Sequence, residues 1–204
     1  MMATRATSSA VGVARRQRTL TLVVAVAGIV LLTARPYASI DGDARSTLFI
    51  TSYAVIAAAS ILVLRGAADR DAGLEAFSGG DAARAAIVLA IGMTAVVVAG
   101  IVAGAGVPAP TSGLTLFASV LAAVAEEALF RGVAYARLER FGAAIAIVGS
   151  AVLFALVHLP AYGTTAMPVD LGAGLLFGWQ RYASRTWTVP AATHAFANIL
   201  ASLR

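Results

Sequence analysis

Three charged residues interrupt an apolar stretch in the second half of the chain. Glu126, Glu127 and Arg131 lie between the apolar run Leu114–Val124 and the segment Gly132–Ala136. A buried charge is unfavourable unless a partner of opposite sign lies close to it. Glu127 and Arg131 are four residues apart, so a helix places them on one face, where they can form an ion pair. Glu126 is rotated by about 100° from Glu127 on the same helix and must face a different element.

The two histidines of the chain also lie in apolar runs. Phe154–His158 ends on one of them, and His194–Asn198 begins with the other. His194 and Asn198 are four residues apart and therefore share a helix face. Two imidazoles, the carboxylate of Glu126 and an amide donor are the groups needed to activate a water molecule and to stabilise an oxyanion. The same imidazoles and carboxylate are most of a zinc site. The alternative is a buried packing network without chemistry.

The elements that position these residues are predicted to lie in a membrane. Sixty per cent of the residues are hydrophobic, 12% are charged, and the mean hydropathy is +0.87. Soluble domains average about 25% charged residues. The chain has no cysteine, which excludes disulfides, thiolate metal sites and a cysteine nucleophile. All 15 basic residues are arginines, scattered between apolar segments, so the basic balance indicates membrane topology and not nucleic-acid binding.

Seven apolar segments follow one another along the chain. They lie near 19–34, 46–64, 85–107, 114–136, 141–159, 168–180 and 187–203. A spanning helix needs roughly 20 mostly apolar residues, so the first segment is short and the sixth is shorter still. The sixth would need the neutral loop 159–167 or a locally thinner bilayer. The sequence therefore predicts an all-α polytopic bundle of about seven membrane helices, or six with a re-entrant segment.

The arginines predict the orientation of this bundle, with the N-terminus inside. Eleven lie in segments that would then be inner, three in outer ones, and one, Arg131, within the membrane. This asymmetry is what the positive-inside rule expects. The inner arginines are Arg5, Arg15, Arg16, Arg18, Arg65, Arg70, Arg84, Arg137, Arg140, Arg181 and Arg185, and the outer ones are Arg35, Arg45 and Arg204. The start of the chain is similar to a signal peptide, but its long polar leader favours an uncleaved first helix. The polar stretch Arg65–Arg84 is expected to be a cytoplasmic connector.

The depth of each candidate residue in the membrane tests whether they can meet. At about 1.5 Å per residue from the inner helix ends, Glu126 lies at roughly 16 Å, His194 at about 12 Å and Asn198 at about 18 Å. His158 comes out nearer 23 Å on the same count. It can join the others only if its helix begins later than Phe141 or is strongly tilted.

The motifs resemble those of a known family. Glu126-Glu127-x-x-x-Arg131, Phe154-x-x-x-His158 and His194-x-x-x-Asn198 occur in this order. They resemble the three motifs of the CPBP intramembrane proteases, which include the type II CAAX prenyl endopeptidases, the Abi proteins and proteins similar to lysostaphin resistance protein A. The resemblance covers about Leu114 to Leu200. It divides the chain into an N-terminal three-helix membrane region without signature, 1–113, and a catalytic membrane domain, 114–204.

The resemblance implies a helical membrane protease with a water-accessible cavity inside the bilayer. By motif position, Glu126 is the general base that activates water. His158 and His194 help to bind that water or the scissile carbonyl, and Asn198 supplies an oxyanion-type hydrogen bond. The remaining motif residues, Glu127 and Arg131, brace the site. The use of a metal is left open: a divalent ion such as zinc, held by His158 and His194, or none.

Two other functions remain possible from the sequence. One is a non-catalytic membrane immunity or binding protein on the same scaffold. The other is a proton-coupled transporter, since intramembrane ionisable residues also serve as proton relays. The expected partners are a peptide or protein substrate at the membrane and the lipid bilayer, without nucleic acid, and the expected location is the cell membrane.

Overall fold

The computed structural model describes residues 3–34, 43–71, 79–103 and 112–202, and all regular structure in these ranges is helical. The helices are α1 Ala3–Ala34, α2 Asp43–Asp71, α3 Gly79–Val102, α4 Gly113–Glu127, α5 Tyr135–Leu138, α6 Ala143–Tyr162, α7 Met167–Ser184 and α8 Thr188–Ser202. A π-helical segment, Ala128–Ala134, joins α4 to α5, so these ranges hold seven continuous helices. The predicted all-α bundle is confirmed, with one helix on each predicted apolar segment.

Five of these helices are long and apolar enough to cross a membrane. The candidate spans are Arg15–Ala34, Thr47–Gly66, Asp81–Val102, Gly113–Phe141 and Ala143–Tyr162. The chain is therefore a multi-pass membrane protein. α7 and α8 have 18 and 15 residues and are not among the five spans. α7 packs mainly against α6, and α8 packs mainly against α4.

Several helices extend beyond the boundaries predicted from hydropathy. α1 begins at Ala3, so the arginine-rich leader continues the first membrane helix. The predicted connector Arg65–Arg84 is helical at both ends, because α2 runs to Asp71 and α3 begins at Gly79. Residues 72–78 lie outside the described part, as do Arg35 and Arg204. Hydropathy predicts where a helix enters lipid, but it does not predict where the helix ends. Extending an existing helix by residues of high helix propensity, such as Ala and Arg, costs little free energy.

Two glycines set the limits of α6. Gly142, at φ 112°, separates the short 3-10 turn Glu139–Phe141 from α6, and Gly163, at φ 74°, follows its last residue. Glycine adopts positive φ without the steric penalty that a Cβ imposes. α6 begins at Ala143, two residues after the predicted start at Phe141.

The centre of the bundle is the helix formed by α4, the π-helical segment and α5. Every residue from Ala125 to Tyr135 is buried. α4 packs against α2 and α8, and the π-helical segment contacts α2 and α6. Phe154 lies edge-to-face with both Phe130 and Phe177, at ring-centroid distances of 5.6 Å and 6.3 Å. These three aromatic rings tie α6 and α7 to the central helix.

Candidate functional site

Glu126 and Glu127 point to different neighbours, as the helical rotation between them predicts. Oε1 of Glu126 accepts a hydrogen bond from the hydroxyl of Tyr53 on α2, at 2.8 Å. Oε1 of Glu127 accepts from Nη1 of Arg131 at 2.9 Å. Glu126 retains 4% of its exposure, whereas Glu127 and Arg131 retain none. The first carboxylate therefore borders a cavity, and the second is enclosed in protein.

The predicted ion pair between Glu127 and Arg131 is part of a larger network. Nη2 of Arg131 donates to the carbonyl of Gly174 on α7 at 2.9 Å. The carbonyl of Arg131 accepts from Nε of Arg181 at 3.1 Å. The guanidinium also lies over the ring of Phe154, 4.6 Å from its centroid. A charge buried in this way is stabilised by its partners and by the aromatic face, and it joins the central helix to α6 and α7.

His194 lies between the two carboxylates. Its Nδ1 is 3.0 Å from Oε1 of Glu127, and its Nε2 is 3.9 Å from Oε2 of Glu126. Because a carboxylate oxygen accepts, Nδ1 carries the proton of the neutral ring and Nε2 presents a lone pair. The ring stacks on Phe177 with centroids 5.0 Å apart. Glu127 and Arg131 thus fix the tautomer and the orientation of His194.

His158 reaches the same carboxylate from α6. Its Nδ1 lies 2.8 Å from the carbonyl of Phe154, one helical turn earlier, so this nitrogen donates. Its Nε2 then faces Oε2 of Glu126 at 3.6 Å. The ring stacks on Tyr162, with centroids 5.7 Å apart. His158 therefore lies beside Glu126, although counting residues from Phe141 predicted a different depth.

These side chains border one cavity of about 280 Å³. Glu126, His158, His194 and Asn198 all line it, so the four residues that sequence analysis placed together do converge. Nδ2 of Asn198 donates one hydrogen to the carbonyl of Ser119 on α4 at 3.1 Å. An asparagine amide has two such hydrogens, so the second can donate to a ligand in the cavity. The cavity can hold water beside a carboxylate and two imidazole nitrogens.

Two residues near the site were not found by sequence analysis. Tyr53 contacts Glu126 directly and also lines the cavity. Asp170, in the first turn of α7, interacts electrostatically with His158, Glu126 and His194. A tyrosine in an apolar helix gives no signal of charge or spacing. Asp170 is the one acidic residue of the predicted segment 168–180 and could have been singled out as an intramembrane carboxylate.

The residues that line the cavity include candidate metal ligands. Two imidazole nitrogens and a carboxylate have the chemistry of zinc ligands. Within the described ranges, however, no group of three or more His, Cys, Asp or Glu side chains is arranged to hold a metal ion.

Fold and site together define a polytopic membrane protein with a Glu-His-His-Asn cavity between its helices. Residues 108–200 match the family model described as type II CAAX prenyl endopeptidase Rce1-like. This range contains Glu126, Glu127, Arg131, His158, His194 and Asn198 and excludes α1 to α3. The resemblance to the CPBP proteases is confirmed for this segment, and it indicates a protease. Searches of the curated proteins and of the solved structures found no match.

Proposed function

We propose that the protein is an intramembrane endopeptidase that hydrolyses peptide bonds of membrane-associated proteins or peptides, with Glu126 as the general base. The observation that carries the proposal is the convergence of three groups on one cavity. Oε2 of Glu126 lies 3.6 Å from Nε2 of His158 and 3.9 Å from Nε2 of His194. The match of residues 108–200 to a CAAX endopeptidase family supports the same reaction class.

The first step is attack by water. A water molecule in the cavity gives one proton to Oε2 of Glu126 while its oxygen forms a bond to the scissile carbonyl carbon. The water has one further hydrogen, which the Nε2 lone pair of either His158 or His194 accepts, and the two rings together hold the water in line with the carbonyl. Positioning of this kind removes much of the entropic barrier to attack.

The second step is collapse of the tetrahedral intermediate. The second amide hydrogen of Asn198 donates to the oxyanion, which is a preorganised dipole aimed at developing charge. Glu126 then returns its proton to the leaving nitrogen as the carbon–nitrogen bond breaks. One carboxylic acid and one amine leave, so the water is fully consumed. Burial keeps other water out and strengthens each of these interactions.

Glu127 and Arg131 act through His194. The Nδ1–H of His194 donates to Glu127, and Arg131 holds Glu127 against rotation. A carboxylate behind an imidazole orients the ring and stabilises any positive charge on it, as in hydrolytic triads. These two residues therefore position the site without touching the reacting atoms.

The test compares two glutamate-to-glutamine variants. Glu126→Gln keeps the shape of the side chain and removes the base, so cleavage should fall by about 10² to 10⁴. Glu139→Gln is the matched control, since Glu139 is exposed in the 3-10 turn before α6. Membranes of cells that produce each protein are compared by mass spectrometry for new peptide termini. Termini that depend on Glu126 and not on Glu139 identify the substrates.

The purified protein in phospholipid vesicles then cleaves a peptide that spans such a terminus. We expect cleavage with and without a divalent-metal chelator, because each proposed step uses side chains of the protein alone. Full cleavage by Glu126→Gln would contradict the role of Glu126 as the general base. Absence of cleavage by the wild-type protein would favour a binding or transport role for the same cavity.

A further inference from the structure

One contact of the site comes from outside the segment that matches the protease family. Tyr53 lies on α2, whereas the match begins at residue 108. Its hydroxyl donates to Oε1 of Glu126 at 2.8 Å, and its side chain is 1% exposed. The Tyr53 side chain lines the same cavity as His158 and His194. The contact joins residues 73 positions apart in sequence.

The hydrogen bond distinguishes the two oxygens of the carboxylate. Oε1 is held by Tyr53, and Oε2 faces His158 and His194. The terminal torsion of a glutamate is broad and roughly two-fold, so without a donor on Oε1 the carboxylate could rotate. A hydrogen bond to an ionised acceptor is about twice as strong as a neutral one. The donor therefore fixes the oxygen that takes the proton of the water.

The ring of Tyr53 is itself held in place. Phe49, one turn earlier on α2, packs against it with centroids 4.6 Å apart. α2 lies against both α4 and the π-helical segment. A donor fixed by packing can orient a carboxylate more sharply than a mobile side chain on a loop.

We propose that Tyr53 is a positioning residue for Glu126, and that α2 is thereby part of the catalytic unit and not only a membrane anchor. The inference rests on the proposed function, because it assigns Tyr53 a role in the reaction of Glu126. Tyr53 does not touch the reacting atoms; it acts through the carboxylate.

Tyr53→Phe removes the hydroxyl and leaves the ring. Loss of a hydrogen bond to a charged group is worth about 1.5–3 kcal/mol, so kcat should fall by about 10- to 100-fold. KM should stay within about twofold, because an interaction that serves only the chemical step lowers kcat and kcat/KM equally. Incorporation of 3-fluorotyrosine at position 53, which restores a hydroxyl, should restore most of kcat.

The matched control is Tyr135→Phe. Tyr135 is also fully buried, and its hydroxyl has no hydrogen-bond partner among the described residues. Loss of the Tyr135 hydroxyl should leave kcat unchanged. In a Glu126→Gln background, Tyr53→Phe should add no further loss, since residues that act as a unit are not additive.

The outcomes separate this inference from the proposed function. If Glu126→Gln is fully active, the proposed function fails. If Glu126→Gln is inactive and Tyr53→Phe has wild-type kcat, only the role of Tyr53 is overturned. A change in KM alone also overturns it. So does a Tyr53→Phe protein that fails to accumulate, because a hydroxyl that orients one carboxylate is not needed for assembly.

Discussion

The first three helices differ from the helices that follow them, from α4 onward, in how much of their surface is buried and in how polar their buried side chains are. In the most apolar stretches of α1 and α3, 11% of residues are buried, whereas 44% are buried in the most apolar stretch of the span Gly113–Phe141. The exposed faces of α1 and α3 carry valine, leucine and isoleucine, which suit lipid. The span with 44% burial carries Glu126, Glu127 and Arg131, which lipid cannot solvate. Polar side chains in a membrane thus determine which helix lies at the centre.

The buried fraction of α2 is intermediate between those of the two groups of helices. Of its most apolar stretch, 28% is buried, more than in either neighbour of the N-terminal region. Its buried face includes Tyr53 and Ser60, which are polar. The predicted division of the chain at residue 113 stays a prediction, but one hydrogen bond of the site crosses it. Substitutions of ion-paired residues, histidines and glycines test the difference between the two regions.

The largest effect is expected from loss of the buried ion pair, with an exposed pair as its control. Arg131→Ala removes the partner of a fully buried carboxylate and should destabilise the protein by about 3–5 kcal/mol, with loss of accumulation and of cleavage. Arg84→Ala breaks the pair with Asp81 on α3, whose side chains are 38% and 39% exposed. Exposed pairs contribute about 0–1 kcal/mol. Thermal unfolding in detergent measures both, and equal losses would remove the distinction between the regions.

Substitution of either histidine should lower activity and should not affect assembly of the protein in the membrane. His158→Ala and His194→Ala should each lower kcat by about 10² to 10⁴, because each removes a nitrogen that holds the water. The double variant should be little worse than the single ones, since the groups act together. Both variants should be recovered from membranes at wild-type levels. Losses in kcat that multiply in the double variant would show that the two rings act independently.

The smallest effect is expected from glycines. A Cβ on Gly174 would lie 2.9 Å from the Cα of Ala151 on α6, so Gly174→Ala must push two helices apart and should cost about 1–3 kcal/mol. Gly172, on the same helix, and Gly12, on α1, have no neighbouring atom within 4 Å of such a Cβ. Replacing either by alanine should be neutral or stabilising by up to about 1 kcal/mol. Melting temperatures measure the relative stability of the three variants. A Gly172→Ala protein that is less stable than the Gly174→Ala protein would contradict the expected ranking.

Much of the site could be predicted from the sequence, because charged residues and histidines are rare in apolar helices. Charges and histidines in apolar helices must face protein or water, so Glu126, His158 and His194 can be singled out without a structure. Helical rotation alone separates Glu126 from Glu127. The orientation of the bundle, with its N-terminus inside, stays a prediction from the arginines.

Other features depend on contacts that the sequence does not display. Tyr53 is one of five tyrosines, and only the packing of α2 on α4 gives it a carboxylate to contact. The π-helical segment Ala128–Ala134 has no composition that distinguishes it from an α-helix. The contact of His158 with Glu126 depends on how α6 packs against the central helix, which counting residues does not give.

The distribution of the site over α2, α4, α6 and α8 has a consequence for biosynthesis. His194 is on α8, more than 60 residues after Glu126. A nascent chain that has inserted α4 and α6 has Glu126 and one imidazole, but neither the second imidazole nor Asn198. In the proposed mechanism, hydrolysis therefore begins only when α8 has docked against α4. The order of insertion would then delay hydrolysis in the way that a pro-segment delays it in a secreted protease.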